Sequence, residues 1–196
     1  MSRIYSLLAT LVVVLSFSAH ADIQPNNPYP KVTLVTSLGN ITVELDRTRA
    51  PLTVANFLRY VDKGVYAGTI FHRIVPGFVV QGGGYDKDFQ LGAEFDPIPN
   101  ESGNGLKNEY GTIAMARESA PHTATRQFYF NINDNPRLDP SDSRWGYAVF
   151  GHIIKGQDVL EKLAAVESMP FDEVTGWQDV PKNPPLLEQV IVEPAP

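Results

Sequence analysis

The sequence predicts a mainly β protein: an antiparallel sheet closed into a barrel, with two helices over its open ends. Three observations carry this. Short runs that alternate apolar and polar residues recur along the chain, separated by turns drawn from its 16 Pro and 15 Gly. Only two stretches have helical spacing, and they lie far apart, so no βαβ unit is built. No internal repeat, heptad run or linker divides the chain beyond Pro30. It therefore reads as one domain, and 196 residues suffice for a substantial core.

The elements follow in order. Arg3, the apolar run Ile4 to Phe17 and Ala19-His20-Ala21 have the layout of a secretory signal peptide over residues 1–21, cleaved before Asp22. An uncleaved membrane anchor is the other reading, but the run is shorter than the roughly 20 residues that span a bilayer. Residues 22–30 are polar and proline-rich, a flexible leader, and the domain is expected over 31–193 with a short tail at 194–196. Val32 and Leu34, a turn at Leu38-Gly39-Asn40, then Ile41, Val43 and Leu45 predict a hairpin. A helix starts at Pro51, carries Val54, Phe57, Leu58 and Val61 on one face, and stops near Gly64.

Beyond the central stretch Phe71 to Gly84, Tyr85 to Lys107 reads as loop. Gly111 to Ala116 and Gln127 to Ile132 read as strands, with a polar, mobile-looking Arg117 to Arg126 between them. Asn133 to Trp145 is loop and Tyr147 to Ile154 an apolar strand. Val159, Leu160, Leu163 and Val166 mark a second helix over Gln157 to Val166, and Leu186 to Val192 closes the chain as a strand.

The central stretch holds the chemistry. Arg73 stands among Phe71, Ile74 and Val75, and an arginine there is costly to desolvate unless an anion or carbonyl meets it. A plain edge strand whose arginine reaches to water has the same local pattern. After the Pro76-Gly77 turn, alternation puts Phe78 and Val80 on one face. Gly82, Gly83 and Gly84 permit a sharp turn or close approach of another chain.

Other chemistries lack their residues. A net charge of −6 argues against a nucleic-acid binder. Without cysteine there is no disulfide, thiolate nucleophile or cysteine-zinc site. No phosphate loop or Gly-x-Ser-x-Gly elbow occurs. His20, His72, His122 and His152 form no metal-spaced pair, and Asp134, Asp139 and Asp142 read as solvated turn residues. No metal and no cofactor are expected. What remains is apolar and aromatic side chains around one arginine. Such a set suits an extended peptide and a reaction without proton transfer, such as rotation about an X-Pro bond, whose barrier is about 18–20 kcal/mol.

The wording of Phe71 to Gly83 resembles the signature of the cyclophilin family of peptidyl-prolyl isomerases. Gly111-Thr112-Ile113-Ala114-Met115-Ala116, Gln127-Phe128-Tyr129, Leu138-Asp139 and Gly146-Tyr147-Ala148-Val149-Phe150-Gly151 follow in family order and at similar spacing. The resemblance runs from about Lys31 to Val192, and is greatest to periplasmic bacterial members. It implies a closed eight-stranded barrel capped by two helices and prolyl isomerase activity. The signal peptide and the lack of cysteine fit a bacterial periplasm better than a eukaryotic secretory route, and a monomer free of the membrane once the signal is cleaved is expected. The implied substrates are proline-containing unfolded or partly folded polypeptides.

Residue by residue, Arg73 matches the catalytic arginine and Gln81 the glutamine that orients it and bonds substrate backbone. Phe78 matches the floor of the proline pocket and Leu138 a wall. Ala116 and Arg117 match the edge that pairs with the peptide. The chain also departs from the commonest pattern. Val79 replaces a frequent methionine, Tyr129 a phenylalanine, Arg137 the tryptophan of many eukaryotic members and Tyr147 their histidine. Arg126 stands where a small serine is usual and is expected beside the pocket rim. These departures bear on peptide preference and on binding of cyclosporin-type inhibitors. Two non-enzymatic readings compete: a proline-peptide-binding module or holdase on the same barrel, and a structural envelope protein.

Overall fold

A computed structural model describes residues 23–170 and 176–195, so the expected signal peptide lies outside the described residues. The chain opens with the hairpin β1 (Lys31–Thr36) and β2 (Gly39–Leu45), in which Val32, Leu34, Ile41, Val43 and Leu45 all point into one apolar interior. Ile23 to Pro30, expected as a flexible leader, is hydrogen-bonded to the domain. Arg47 Nη2 donates to the Ile23 carbonyl at 2.8 Å, and the Leu45 and Arg47 amides donate to Pro30 and Pro28.

Helix α1 (Pro51–Asp62) starts with proline in its first turn, where a missing N–H costs nothing. Its preceding residue, Ala50, offers no side-chain cap. The Glu101 carboxylate replaces it, accepting from the Leu52 and Thr53 amides and the Thr53 hydroxyl, with its negative charge at the positive end of the helix. Gly64, at a φ of +64°, ends the helix as its sequence position indicates.

Strands β3 (Thr69–Ile70), β4 (Arg73–Val75), β5 (Val79–Gly82), β6 (Thr112–Met115), β7 (Phe128–Asn131) and β8 (Val149–Lys155) follow. Helix α2 (Gln157–Ala164), the short pair β9 (Ser168–Met169) and β10 (Val180–Pro181), and β11 (Leu186–Val192) complete the chain. Among the described residues the main sheet has nine strands, all antiparallel, in the order β3-β11-β1-β2-β8-β6-β7-β5-β4.

That order corrects the expected closed eight-stranded barrel. The sheet is strongly curled, but its ladder does not close: the two outer strands, β3 and β4, are consecutive in the chain and do not pair with each other. Phe71 and His72 join them while the backbone changes partners. The Phe71 amide bonds Pro185 and the Ile74 amide bonds Asp179. One strand position is thus split into two, giving nine where eight were expected.

Alternation then sorts side chains to two sides. Val80, Ile113, Met115, Phe128 and Phe130 join the interior core with α1 and α2, whereas Val79, Ala114, Tyr129 and Val149 form a separate cluster on the outer face. The expectation that Phe78 and Val80 share a face fails here. Phe78 belongs to the turn, its amide bonded to the Val75 carbonyl, and the strand starts at Val79. Phe78 therefore packs outside with Val79, and Val80 points inward.

Candidate active site

The outer cluster lines a cavity of about 260 Å³. Strand β4 supplies Arg73, the turn after it Phe78, and β5 supplies Val79 and Gln81. Ala116 and Arg117 follow β6, Tyr129 comes from β7, Leu138 from a single 3-10 turn at Pro136–Leu138, and Tyr147 from just before β8. Nine of the residues that the sequence singles out thus meet in one place, and Arg126 and Arg137 are not among them.

Register accounts for much of this. Arg73 lies opposite Gln81 across β4–β5, Gln81 opposite Tyr129 across β5–β7, and Tyr129 opposite Ala114 across β7–β6. The apolar floor is fixed by polar ties beneath it. The Phe78 carbonyl accepts from Asn135 Nδ2 at 2.9 Å and from the Ile132 amide. The Tyr129 hydroxyl donates to Asn108 Oδ1 at 2.8 Å, and Asn108 donates in turn to Asp139. Burial pushes the Tyr129 hydroxyl well above its ordinary pKa, so it stays a neutral donor. Its ring meets Tyr147 edge-on at 5.9 Å.

The two arginines of the cavity are used differently. Arg117 donates to the carbonyls of Gly146, Trp145, Glu118 and Ser119, and its guanidinium lies 4.5 Å from the centre of the Tyr147 ring. It is a structural brace for the wall. Arg73 is more lightly held, by Gln81 Oε1 at 3.4 Å and the Asp179 carboxylate at 3.6 Å, with 37% of its side chain exposed. Gln81 is oriented in turn by its bond to Gln127 Oε1 at 3.0 Å.

Asp179 and Gln127 were missed from sequence. Asp179 sits at a φ of +59° in the C-terminal segment, and its carbonyl takes the Ile74 amide, which fixes its carboxylate beside Arg73. Only the fold brings it there; an Asp before Val-Pro carries no local signal. Arg126, expected at the rim, is instead fully buried. Its guanidinium donates to the carbonyls of Gly83, Ala93 and Val65, so it ties the glycine turn to a loop and to the end of α1's connection. Three carbonyls in fixed positions match an arginine fork, which is how its burial is tolerated.

No general base is apparent in the chemistry of the lining. His72, next to Arg73, is buried, and desolvation above all lowers its pKa to about 4, with Arg73 adding to the effect. It is neutral at pH 7, and its Nδ1 finds no hydrogen-bond partner among the described residues. No group of three or more His, Cys, Asp or Glu is placed to hold a metal among those residues. An apolar, ring-lined hollow with one loosely held guanidinium at its edge belongs to the class of sites that suit an extended polypeptide.

Comparison with known proteins gives that class its family. The model for cyclophilin-type peptidyl-prolyl cis-trans isomerases matches residues 31–191. A peptidyl-prolyl cis-trans isomerase A of Dickeya dadantii is 44% identical over 93% of this chain and 94% of its own length. A peptidyl-prolyl cis-trans isomerase of Acinetobacter baylyi is 47% identical over 83% of this chain and 85% of its own. A crystal structure of a cyclophilin-type isomerase from Cryptosporidium parvum superposes with a TM-score of 0.69 at 25% identity, over 86% of this chain and 99% of that one. The chain belongs to the cyclophilin-type peptidyl-prolyl cis-trans isomerases.

Proposed function

We propose that this protein accelerates rotation about X-Pro bonds in exported polypeptides, with Arg73 as the group that stabilises the twisted amide. The observation that carries this is the lightly held guanidinium at the edge of an apolar hollow. The proline ring sits over Phe78, against Val79, Tyr129 and Leu138, with Tyr147 closing the far wall. In the planar amide the nitrogen lone pair is delocalised. As the bond twists, the nitrogen becomes pyramidal and its lone pair localises, so a donor at that nitrogen bonds the transition state better than either ground state. Arg73 is that donor. Gln81 holds it and bonds substrate backbone, and the edge at Ala116 and Arg117 aligns the peptide as an added strand.

No proton moves and no covalent bond forms, so neither cofactor nor metal is needed. The sequence of residues 1–21 supports export and cleavage, and with it a periplasmic monomer that leaves the membrane after processing. Proline-containing chains that are unfolded or partly folded are its partners, and nucleic acid is not.

The test combines location and turnover. Protein from the exported fraction should have a mass that starts at Asp22, and should speed cis-to-trans conversion of a short Ala-Pro peptide as read by exchange NMR. Retention of residues 1–21 would sink the cleavage reading and favour the uncleaved membrane anchor. Peptide binding without faster exchange would sink catalysis and leave the binding-module reading.

A further inference from the structure

A second cavity, of about 330 Å³, adjoins the first and shares Arg73 and Gln81 with it. Its other described walls are His72, Tyr85, Gln127, Trp177 and Gln178, none of which the proline pocket uses. The walls are strongly aromatic. The Trp177 and Tyr85 rings lie 4.6 Å apart, His72 meets Tyr85 edge-on at 4.8 Å, and Phe89 backs Trp177 at 5.8 Å. We propose that this cavity is a second substrate subsite, which takes a neutral aromatic side chain from a residue flanking the proline. The proposal rests on the reading of the first cavity as the proline pocket.

Three features select that occupant. The first is reach: side chains of an extended peptide are spaced about 3.3 Å per residue, and the two cavities meet at Arg73 and Gln81. A residue one or two positions from the proline therefore falls in the second when the proline fills the first. Shape is the next, because three rings and three amide side chains offer faces and edges to another ring and little to a flexible aliphatic chain.

Charge is the last. Arg73 on the shared wall and Asp179 beside it offset each other's charge and His72 between the rings is neutral, so neither a substrate ammonium nor a carboxylate meets an unmatched opposite charge on these walls. A guanidinium whose charge is already met by Asp179 is free to stack on a ring.

The experiment measures kcat/KM by exchange NMR on two peptide series, Ala-Xaa-Pro-Ala and Ala-Ala-Pro-Xaa, with Xaa as Ala, Leu, Phe, Trp, Lys or Glu. At one of the two positions Phe and Trp should exceed Ala by roughly 2- to 12-fold, the equivalent of the about 0.5–1.5 kcal/mol of an aromatic pair at about 1.36 kcal/mol per tenfold. Lys and Glu should fall at or below Ala. Trp177→Ala should bring the aromatic-to-alanine ratio toward one, and Trp177→Leu serves if the alanine variant does not fold. An aromatic-to-alanine ratio of one in the unaltered protein, or a ratio unchanged in a folded Trp177 variant, overturns the subsite alone. No isomerisation of any peptide overturns the proposed function itself.

Discussion

Arg73→Ala should separate catalysis from folding, because the structure holds this side chain so lightly. Its guanidinium has Gln81 at 3.4 Å and the Asp179 carboxylate at 3.6 Å, and over a third of the side chain is in water. An exposed ion pair of this kind contributes about 0–1 kcal/mol. In a domain of this size that shifts the melting temperature by at most about 2–4 °C. Catalysis should suffer far more. If the donor strengthens as the amide twists, its loss costs about 2.7–4 kcal/mol, by analogy with oxyanion-hole donors, or roughly 100- to 1000-fold in kcat/KM. The assay pairs exchange NMR on a Pro peptide with a titration of the same peptide and a thermal melt. The expected protein melts like the unaltered one, still binds the peptide, and barely isomerises it. A folded variant that keeps most of its activity would refute Arg73 as the catalytic group.

Asp179→Asn should lower kcat/KM by up to about 5-fold, the value of one exposed ion pair, and should have no effect in an Arg73→Ala background; equal effects in both would uncouple the two residues. His72 binds a proton in the unfolded chain below pH 6.5 but in the folded one only below about 4, so stability should fall as pH drops across that window, by up to about 3 kcal/mol. His72→Gln should flatten that part of the denaturation-against-pH curve, and parallel curves would show His72 to be uninvolved. Arg137 is exposed on the 3-10 turn beside Leu138 and offers a charged stem where many relatives have an indole. Arg137→Trp should tighten cyclosporin binding by calorimetry, and an unchanged affinity would mean that the turn sits elsewhere than the sequence match implies.

The parts of the fold set by local pattern were legible. Alternation at Val32 to Leu45, the helical face Val54-Phe57-Leu58-Val61 and the terminal strand Leu186–Val192 each stand where the sequence puts them. Motif wording picked out the nine candidate residues that line one cavity: eight lie on or beside strands β4 to β8, and Leu138 is on a 3-10 turn. What stayed hidden depends on long-range placement. The break between β3 and β4 arises because Pro185 and Asp179 capture the Phe71 and Ile74 amides, and neither partner has a local signature. Arg126 reads as a surface residue in a polar stretch, yet three distant carbonyls pull it inside. Residues 171–175 lie outside the described residues, between β9 and the segment that carries Asp179.

The cavity and the core share the same strands, and strand alternation keeps them apart. Along β5, Val80 fills the interior while Val79 and Gln81 face the cavity; along β7, Phe128 and Phe130 face inward and Tyr129 outward. A slip of one residue in either strand would put Gln81 or Tyr129 into the core and Val80 or a phenylalanine into the cavity, so the core's demand for apolar side chains also fixes which side chains line the cavity. Gly83 makes the same point at the strand's end. Its φ is +82°, and a Cβ there would lie 2.7 Å from the Phe128 ring, so the backbone can turn against the core only as glycine. Arg126 then bonds the Gly83 carbonyl from the other side. The register that aligns Arg73 with Gln81 is thereby anchored in the interior, and the guanidinium itself keeps only two light ties, to Gln81 and Asp179.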